Sequence, residues 1–311
     1  MRNNVEKNME LKLLNHVVCA NYNKLQLTHD NIDRIIENTD ETWQPDRSHE
    51  ERGSNTMQGK IAEEIVEEFI NRYFSKTLSI KSYDEIRNDQ FQKHAPFDFL
   101  IWKTGAVDIR PIISSIQRDI AQSPSRFVQL SGDTRALCEA AGVKIVEVKS
   151  TKIRQNLKYN AHFTGDYDDA GQVQNLINQI KKTDDIFCYP HYKRSESREP
   201  YTLSEYCQYV KSLEPELADY TWNRLKHKVI ELEAAKQVID IFIRVYLDEV
   251  NQRGFVIGFI KKEDLLDDAV VFKRMSKPNK SEKALYFAKK LEKTQGIDCL
   301  EQVLTYPSIV L

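Results

Sequence analysis

The chain has 311 residues, 41% of them apolar and 30% charged, with a formal net charge of −2. That size suits one large globular domain or two modest ones. No stretch approaches the roughly 20 apolar residues of a membrane span, and the near-neutral total leaves room for a local basic groove without announcing one. The polar start, Met1 to Lys7, leads into no secretory apolar core. The five cysteines, at 19, 138, 188, 207 and 299, are odd in number and scattered. They read as the reduced thiols of a cytoplasmic protein.

The first stretch, to about Thr42, reads as helical. Leu11, Leu14, Val17 and Val18 recur at helical spacing, as do Ile32, Ile35 and Ile36. The polar run from Gln44 to Asn55 then reads as a loop and as a domain boundary. A strong amphipathic helix follows, from about Thr56 to Phe74, with Ile61, Ile65, Val66, Phe69 and Ile70 as its apolar stripe. Strands are expected at Thr77–Lys81 and Phe97–Trp102. A mixed segment occupies 103–142. Val143–Ser150 is a strand by β-branched content and alternation. The span 151–236 is polar and aromatic, and reads as mostly helical. Ile239–Leu247 and Gly254–Ile260 are buried strands joined by a short polar turn, which predicts a hairpin. The tail from Lys280 to Leu291 reads as an exposed, lysine-rich helix. Such an order gives a mixed α/β chain and not a βαβ alternation. No Gly-rich phosphate loop is present.

Side chains alternate along a strand. In Val146-Glu147-Val148-Lys149 the valines share one face, and Glu147 and Lys149 the other, about 6–7 Å apart. The charged pair continues a face that begins with Val143 and Ile145. A strand that turns from apolar to charged along one face is a core strand whose end enters a cleft. Asp98 starts its own strand. If the two strands pair antiparallel, the start of one lies beside the end of the other, and Asp98 faces Glu147 and Lys149. Two carboxylates and a backbone carbonyl form a hard-oxygen site suited to Mg²⁺. A neighbouring lysine can orient water or hold a phosphate oxygen, as in-line phosphodiester hydrolysis requires.

Pro96-Phe97-Asp98 followed by Glu147-Val148-Lys149 resembles the motif of the PD-(D/E)XK nuclease superfamily. The preceding helix, Gln58-Gly59-Lys60-Ile61-Ala62-Glu63, resembles that family's first core helix, which often brings a glutamate to the metal. Glu63 matches that position, with Glu64 its neighbour. The resemblance covers about 56–150, with weaker support to about 265. It implies a restriction-endonuclease-like fold: a mixed β-sheet flanked by helices. It divides the chain into an N-terminal helical segment, 1–55, and a nuclease domain, 56–311, with inserts at about 103–142 and 151–236. It also implies a metal held by Asp98, Glu147 and the Val148 carbonyl, with Lys149 acting on the attacking water. The connection between the acidic strand and Lys144 is longer than the family often has, so Asp108 and Asp133 stand as reserves for Asp98.

Other patterns carry less. Cys188 and His191 have zinc-like spacing without a second pair. Asp166 to Gly171 opens like a calcium loop, but Ile177 stands where the closing glutamate belongs, so an acidic helix cap is expected. Lys152, Arg154 and Lys158, with Tyr159, His162 and Phe163 among them, are candidates for a DNA-facing wall with Lys193 and Arg194 and their neighbours Tyr189, His191, Tyr192 and Arg198. An ordinary solvated loop is the alternative. The expectation is a Mg²⁺-dependent, type II-like restriction endonuclease on double-stranded DNA, with Mn²⁺ substituting. A homodimer would suit a palindromic site, and a cognate DNA methyltransferase would protect the host. The rivals are a repair, recombination or phage-defence nuclease, and an inactive nucleic-acid-binding relative.

Overall fold

The computed structural model describes residues 9–25, 37, 48–153, 163–188, 203–265, 270–274 and 283–304. In chain order these form β1 (Glu10–Leu14), β2 (Val17–Asn21), α1 (His49–Tyr73), β3 (Leu78–Ser82), α2 (Tyr83–Ile86), β4 (Phe99–Lys103), α3 (Arg110–Gln122), α4 (Gly132–Ala140) and β5 (Lys144–Lys152). There follow α5 (Ala170–Lys181), β6 (Asp184–Cys188), α6 (Leu203–Leu213), α7 (Trp222–Lys236), β7 (Ile241–Asp248), β8 (Arg253–Lys261), β9 (Val270–Arg274) and β10 (Lys283–Lys290). The chain is α/β, with a mixed seven-stranded sheet in the order β1-β2-β8-β7-β5-β4-β3. Every neighbouring pair is antiparallel except β5 and β7. A second sheet, β6-β10-β9, is antiparallel throughout.

Each face of the large sheet carries its own apolar core. Val146, Ile241, Ile243, Val245, Val256 and Phe259 pack with Ala62, Ile65, Val66, Phe69 and Ile70 of α1. The opposite face, with Ile145, Leu100, Phe242 and Tyr246, packs against α3, α5, α6 and α7. α1 lies close on its face: a Cβ at Gly254 would come within 2.4 Å of Ile65 Cδ1. The closely packed interior leaves no room for that extra atom.

The N-terminal expectation is corrected. Residues 10–21 form a β-hairpin, not a helix, and β2 pairs with β8 inside the large sheet. Leu11 and Val18 face the α1 core and Val17 the other; this is the alternation of a strand. Ile32, Ile35 and Ile36 lie outside the described residues. The expected loop 44–55 gives way at His49, where α1 already begins. Ser48 caps it by accepting from Glu51 N at 3.2 Å, and Glu51 returns a bond from Ser48 N, a reciprocal capping box.

The segment 151–236 is mostly helical among its described residues, as expected, with β6 as an additional strand. One further expectation changes. The lysine-rich tail is β10, a strand between β6 and β9, and not an exposed helix. The 103–142 segment holds α3 and α4. The β7–β8 hairpin forms as expected. Asp169 is the cap of α5, accepting from Gly171 N and Gln172 N. Among the described residues no helix is long and apolar enough to cross a membrane.

Candidate active site

β4 pairs with only the first part of β5: Ile101 stands opposite Lys144, Leu100 opposite Ile145 and Phe99 opposite Val146. One further bond, Asp98 N donating to Val146 O at 2.9 Å, closes the ladder. Beyond it β5 runs on alone along this edge. The next N–H that β5 turns toward the gap belongs to Val148. It donates to Asp98 Oδ2 at 2.6 Å. Asp98 is thereby fixed near the plane of the sheet, at a step where one strand stops and its neighbour continues. The N–H and C=O of a strand residue point to the same edge, so the Val148 carbonyl opens into the same step.

Glu147 and Lys149 leave β5 on the face away from α1, and their side chains form an ion pair. From the other face, α1 supplies Glu63. The first half of α1 is tied to the end of β5 by Gln58 Nε2 donating to Ser150 Oγ and Lys152 Nζ to Ser54 Oγ, both at 3.0 Å. These contacts, with Ala62 and Ile65 in the core of that face, set α1 against the end of β5.

The electrostatics report the same convergence. Burial raises the Asp98 carboxyl well above its ordinary range, and Glu63 and then Glu147 raise it further. The Val148 N–H and Lys60 oppose this without cancelling it. Glu63 is also raised, first by burial, with Asp84 and Glu64 adding to the effect and Lys60 opposing it. Glu63 and Glu147 thus both act electrostatically on Asp98. Asp98 keeps a partly exposed surface.

Of the sequence candidates, Asp98, Glu147, Val148, Lys149 and Glu63 come together. The reserves do not. Asp108 is bound to Arg110 on the surface, and Asp133 sits in the first turn of α4, capped by Ser131. Lys152 is corrected out of the DNA-facing wall. It is 5% exposed and paired to Glu249 at 2.5 Å, because strand alternation turns it under α1. Arg154, Lys158, Tyr159, His162, Tyr189, His191, Tyr192, Lys193, Arg194 and Arg198 lie outside the described residues. So does the side chain of Cys188.

Sequence reading missed two groups. Lys60 bridges Glu63 Oε2 at 2.6 Å and Asp84 Oδ2 at 2.7 Å. Its spacing of three from Glu63 was visible on the helix; Asp84 arrives from α2 and left no local signal. Arg244 was missed as well. It stands opposite Lys149 across the β5–β7 ladder, held by Asp185 Oδ2 through Nε at 2.9 Å.

No protein-family model, no curated protein and no solved structure matches this chain. The site therefore rests on the chain's own geometry. Among the described residues no group of three or more His, Cys, Asp or Glu side chains is arranged to hold a metal ion. The donor set at the step is different in kind: two carboxylates, from Asp98 and Glu147, and one backbone carbonyl. Those are hard oxygens, of the type and number Mg²⁺ uses when waters and phosphate complete its shell.

Proposed function

We propose that this chain is a Mg²⁺-dependent endonuclease that hydrolyses phosphodiester bonds of double-stranded DNA, with a restriction-endonuclease-like fold and type II-like action. The observation that supports the reading is Asp98 accepting from Val148 N–H where β4 ends, next to the Glu147–Lys149 pair of β5. Asp98, Glu147 and the Val148 carbonyl would hold the cation, with Mn²⁺ able to substitute. When bound, the ion neutralises phosphate charge and lowers the pKa of a water. Lys149 holds that water or a phosphate oxygen. Its place two residues from Glu147 on a rigid strand keeps it within reach without a conformational change. Glu63 stands behind Asp98 and adds negative charge that favours the cation.

A homodimer would suit a palindromic site, and the restriction reading implies a partner methyltransferase. The test is incubation of a defined plasmid with the full chain in Mg²⁺, Mn²⁺, Ca²⁺ or excess chelator. Discrete fragments in Mg²⁺ and Mn²⁺ are expected, with binding but no cutting in Ca²⁺. A smear of products points to a repair or defence nuclease instead. Full cleavage in chelator, or in Asp98→Ala, overturns the reading.

A further inference from the structure

We propose that the surface made by residues 88–94 and 117–127 is where a DNA duplex docks, and that its exposed carboxamides meet the base edges. The inference rests on the nuclease reading above and names the surface by which that centre takes hold of its substrate.

The segment between α2 and β4 is a loop closed at Asp98. Tyr83 N donates to Asp98 O at 2.8 Å, so the chain leaves that point and comes back to it. Gln92 stands six residues before Asp98, which keeps the two Cα atoms within about 20 Å of each other.

The loop is braced from inside. Arg87 donates to both carboxylate oxygens of Asp89, from Nε at 2.7 Å and from Nη2 at 3.0 Å. Its guanidinium lies 5.2 Å from the Tyr83 ring and 4.4 Å from the Phe91 ring. Lys93 N donates to Asp89 Oδ2 at 2.8 Å, and Lys93 Nζ to Ile120 O at 2.5 Å and Ser123 O at 2.8 Å, at the end of α3. His94 N donates to Arg126 O at 2.7 Å, and the His94 ring stacks on Phe127 at 4.8 Å. These contacts join the two segments into one surface. They also hold a turn that a free chain would leave: Gln90 and Phe91 are both at positive φ, 52° and 65°, a costly conformation for residues other than glycine.

The bracing turns the acids inward and leaves amides and arginines outside. The acids of the two segments, Asp89 and Asp119, are 7% exposed at the side chain and 6% exposed overall. Asn88, Gln90, Gln92 and Gln122 are exposed, and so are Arg118 and Arg126. In a chain with 47 Asp and Glu and a net charge of −2, a surface that shows arginines and amides without an exposed carboxylate complements a polyanion. Asn and Gln side chains pair with the N6 and N7 edge of adenine in the major groove, and arginines reach phosphates. A loop already fixed in shape loses little freedom on binding. A connection that served only to join α2 to β4 would need neither the strained turn nor the removal of both carboxylates from its surface.

The experiment measures binding of the full chain to a random-sequence DNA duplex by fluorescence anisotropy, in Ca²⁺ and over a range of salt, and then cleavage of a defined plasmid in Mg²⁺. Arg118→Glu combined with Arg126→Glu is expected to weaken duplex binding by at least about ten-fold and to make the salt slope shallower by about two. The same reversal at Lys76 and Lys182, exposed residues outside the two segments, is expected to leave both readings unchanged. Asn88→Ala combined with Gln92→Ala is expected to keep the duplex affinity and to alter the pattern of plasmid fragments. Thermal melts followed by circular dichroism establish that each variant is folded; if the arginine reversal does not fold, Arg118→Gln with Arg126→Gln takes its place. Unchanged binding in the folded arginine variant, an equal loss in the lysine control, or an unchanged fragment pattern in the folded amide variant overturns the inference and leaves the nuclease reading standing. Neither binding nor cleavage by wild type overturns the nuclease reading and this inference with it.

Discussion

Replacing Asp98 by Asn removes one charge from a group of three carboxylates and keeps an amide oxygen able to accept the Val148 N–H. Glu63 and Glu147 both push against the Asp98 charge, so the metal-free protein should become more stable. Repulsion between neighbouring carboxylates is of the order of a few kcal/mol at an effective dielectric of ~20. Glu63 is partly neutralised by Lys60 and Glu147 by Lys149, and an amide is a weaker acceptor than a carboxylate, which leaves a net gain of about 1–2 kcal/mol. For a chain this long that is a rise in Tm of roughly 2–5 °C. Mg²⁺ should act the opposite way on the two proteins. At ten times its Kd a ligand stabilises the folded state by about 1.4 kcal/mol, so wild type should gain about that much between chelator and Mg²⁺, and Asp98→Asn almost nothing. Differential scanning calorimetry of both proteins in both buffers gives four melting temperatures. If Asp98→Asn melts lower than wild type in chelator, or if both respond equally to Mg²⁺, then Asp98 is a structural cap of β5 and not a ligand.

Three further outcomes follow from neighbouring contacts. Glu147→Gln should lose cleavage together with the Mg²⁺ dependence of DNA binding, whereas Lys149→Ala should slow single-turnover cleavage by about 10²–10³-fold and keep Mg²⁺-dependent binding. Asp185→Asn leaves the buried Arg244 without its carboxylate, which typically costs about 3–5 kcal/mol, read as a lower urea midpoint. Burial works to raise the Asp185 carboxyl, but the Arg244 charge and the hydrogen bonds of Tyr246 and Arg244 outweigh it and hold the pKa low. Its contribution is therefore present above the unfolded value of about 3.9 and lost as pH falls through the lower folded one, so the difference between wild type and variant should stay constant from about pH 5 to 8 and shrink below about pH 4. Lys152→Met should lower the Tm by breaking the pair with Glu249, yet leave the salt dependence of DNA binding unchanged, since a buried lysine displaces no counterion from a phosphate; a flattened salt slope would return Lys152 to the DNA-facing wall.

Much of the centre was legible because its signals are local. β4, β5, β7 and β8 are aliphatic runs that only a sheet interior accommodates, and the antiparallel meeting of Asp98 with Glu147 follows from strand alternation alone. Glu63 came only from the resemblance of its helix to the PD-(D/E)XK superfamily's first core helix. The N-terminal hairpin was not legible in the same way. Leu11, Leu14, Val17 and Val18 satisfy helical spacing by coincidence, and the turn between β1 and β2 is made by Asn15 and His16, both at positive φ (47° and 66°). Two residues in that region make the kind of tight turn whose usual sign is Asn-Gly; His16 hides it. The start of α1 was missed because Ser48 and Glu51 were read as loop polarity and not as a reciprocal cap. β6 and β10 escaped for a different reason: each is stabilised by a partner about a hundred positions away in sequence, and no window along the chain contains both.

The step between β4 and β5 explains why these particular residue types recur together. A strand that ends early strips the neighbouring strand of its partner for the residues that follow, and an unpaired backbone N–H away from water is costly. Asp98 answers that need for Val148 with its own side chain. Having done so, it is held in the sheet plane, unable to turn out to solvent, with burial and two further carboxylates raising the energy of its charge. Folding alone gives no reason to bring Glu63 and Glu147 to that point, since each adds repulsion. A neutral acceptor such as Asn would satisfy Val148 at lower electrostatic cost. On the proposed reading a bound cation would turn that repulsion into attraction. Strain at a site that relaxes only with a ligand is what pre-organisation predicts. It leads to the same place as the Asp98→Asn melt: a substitution that improves the empty protein and disables the loaded one.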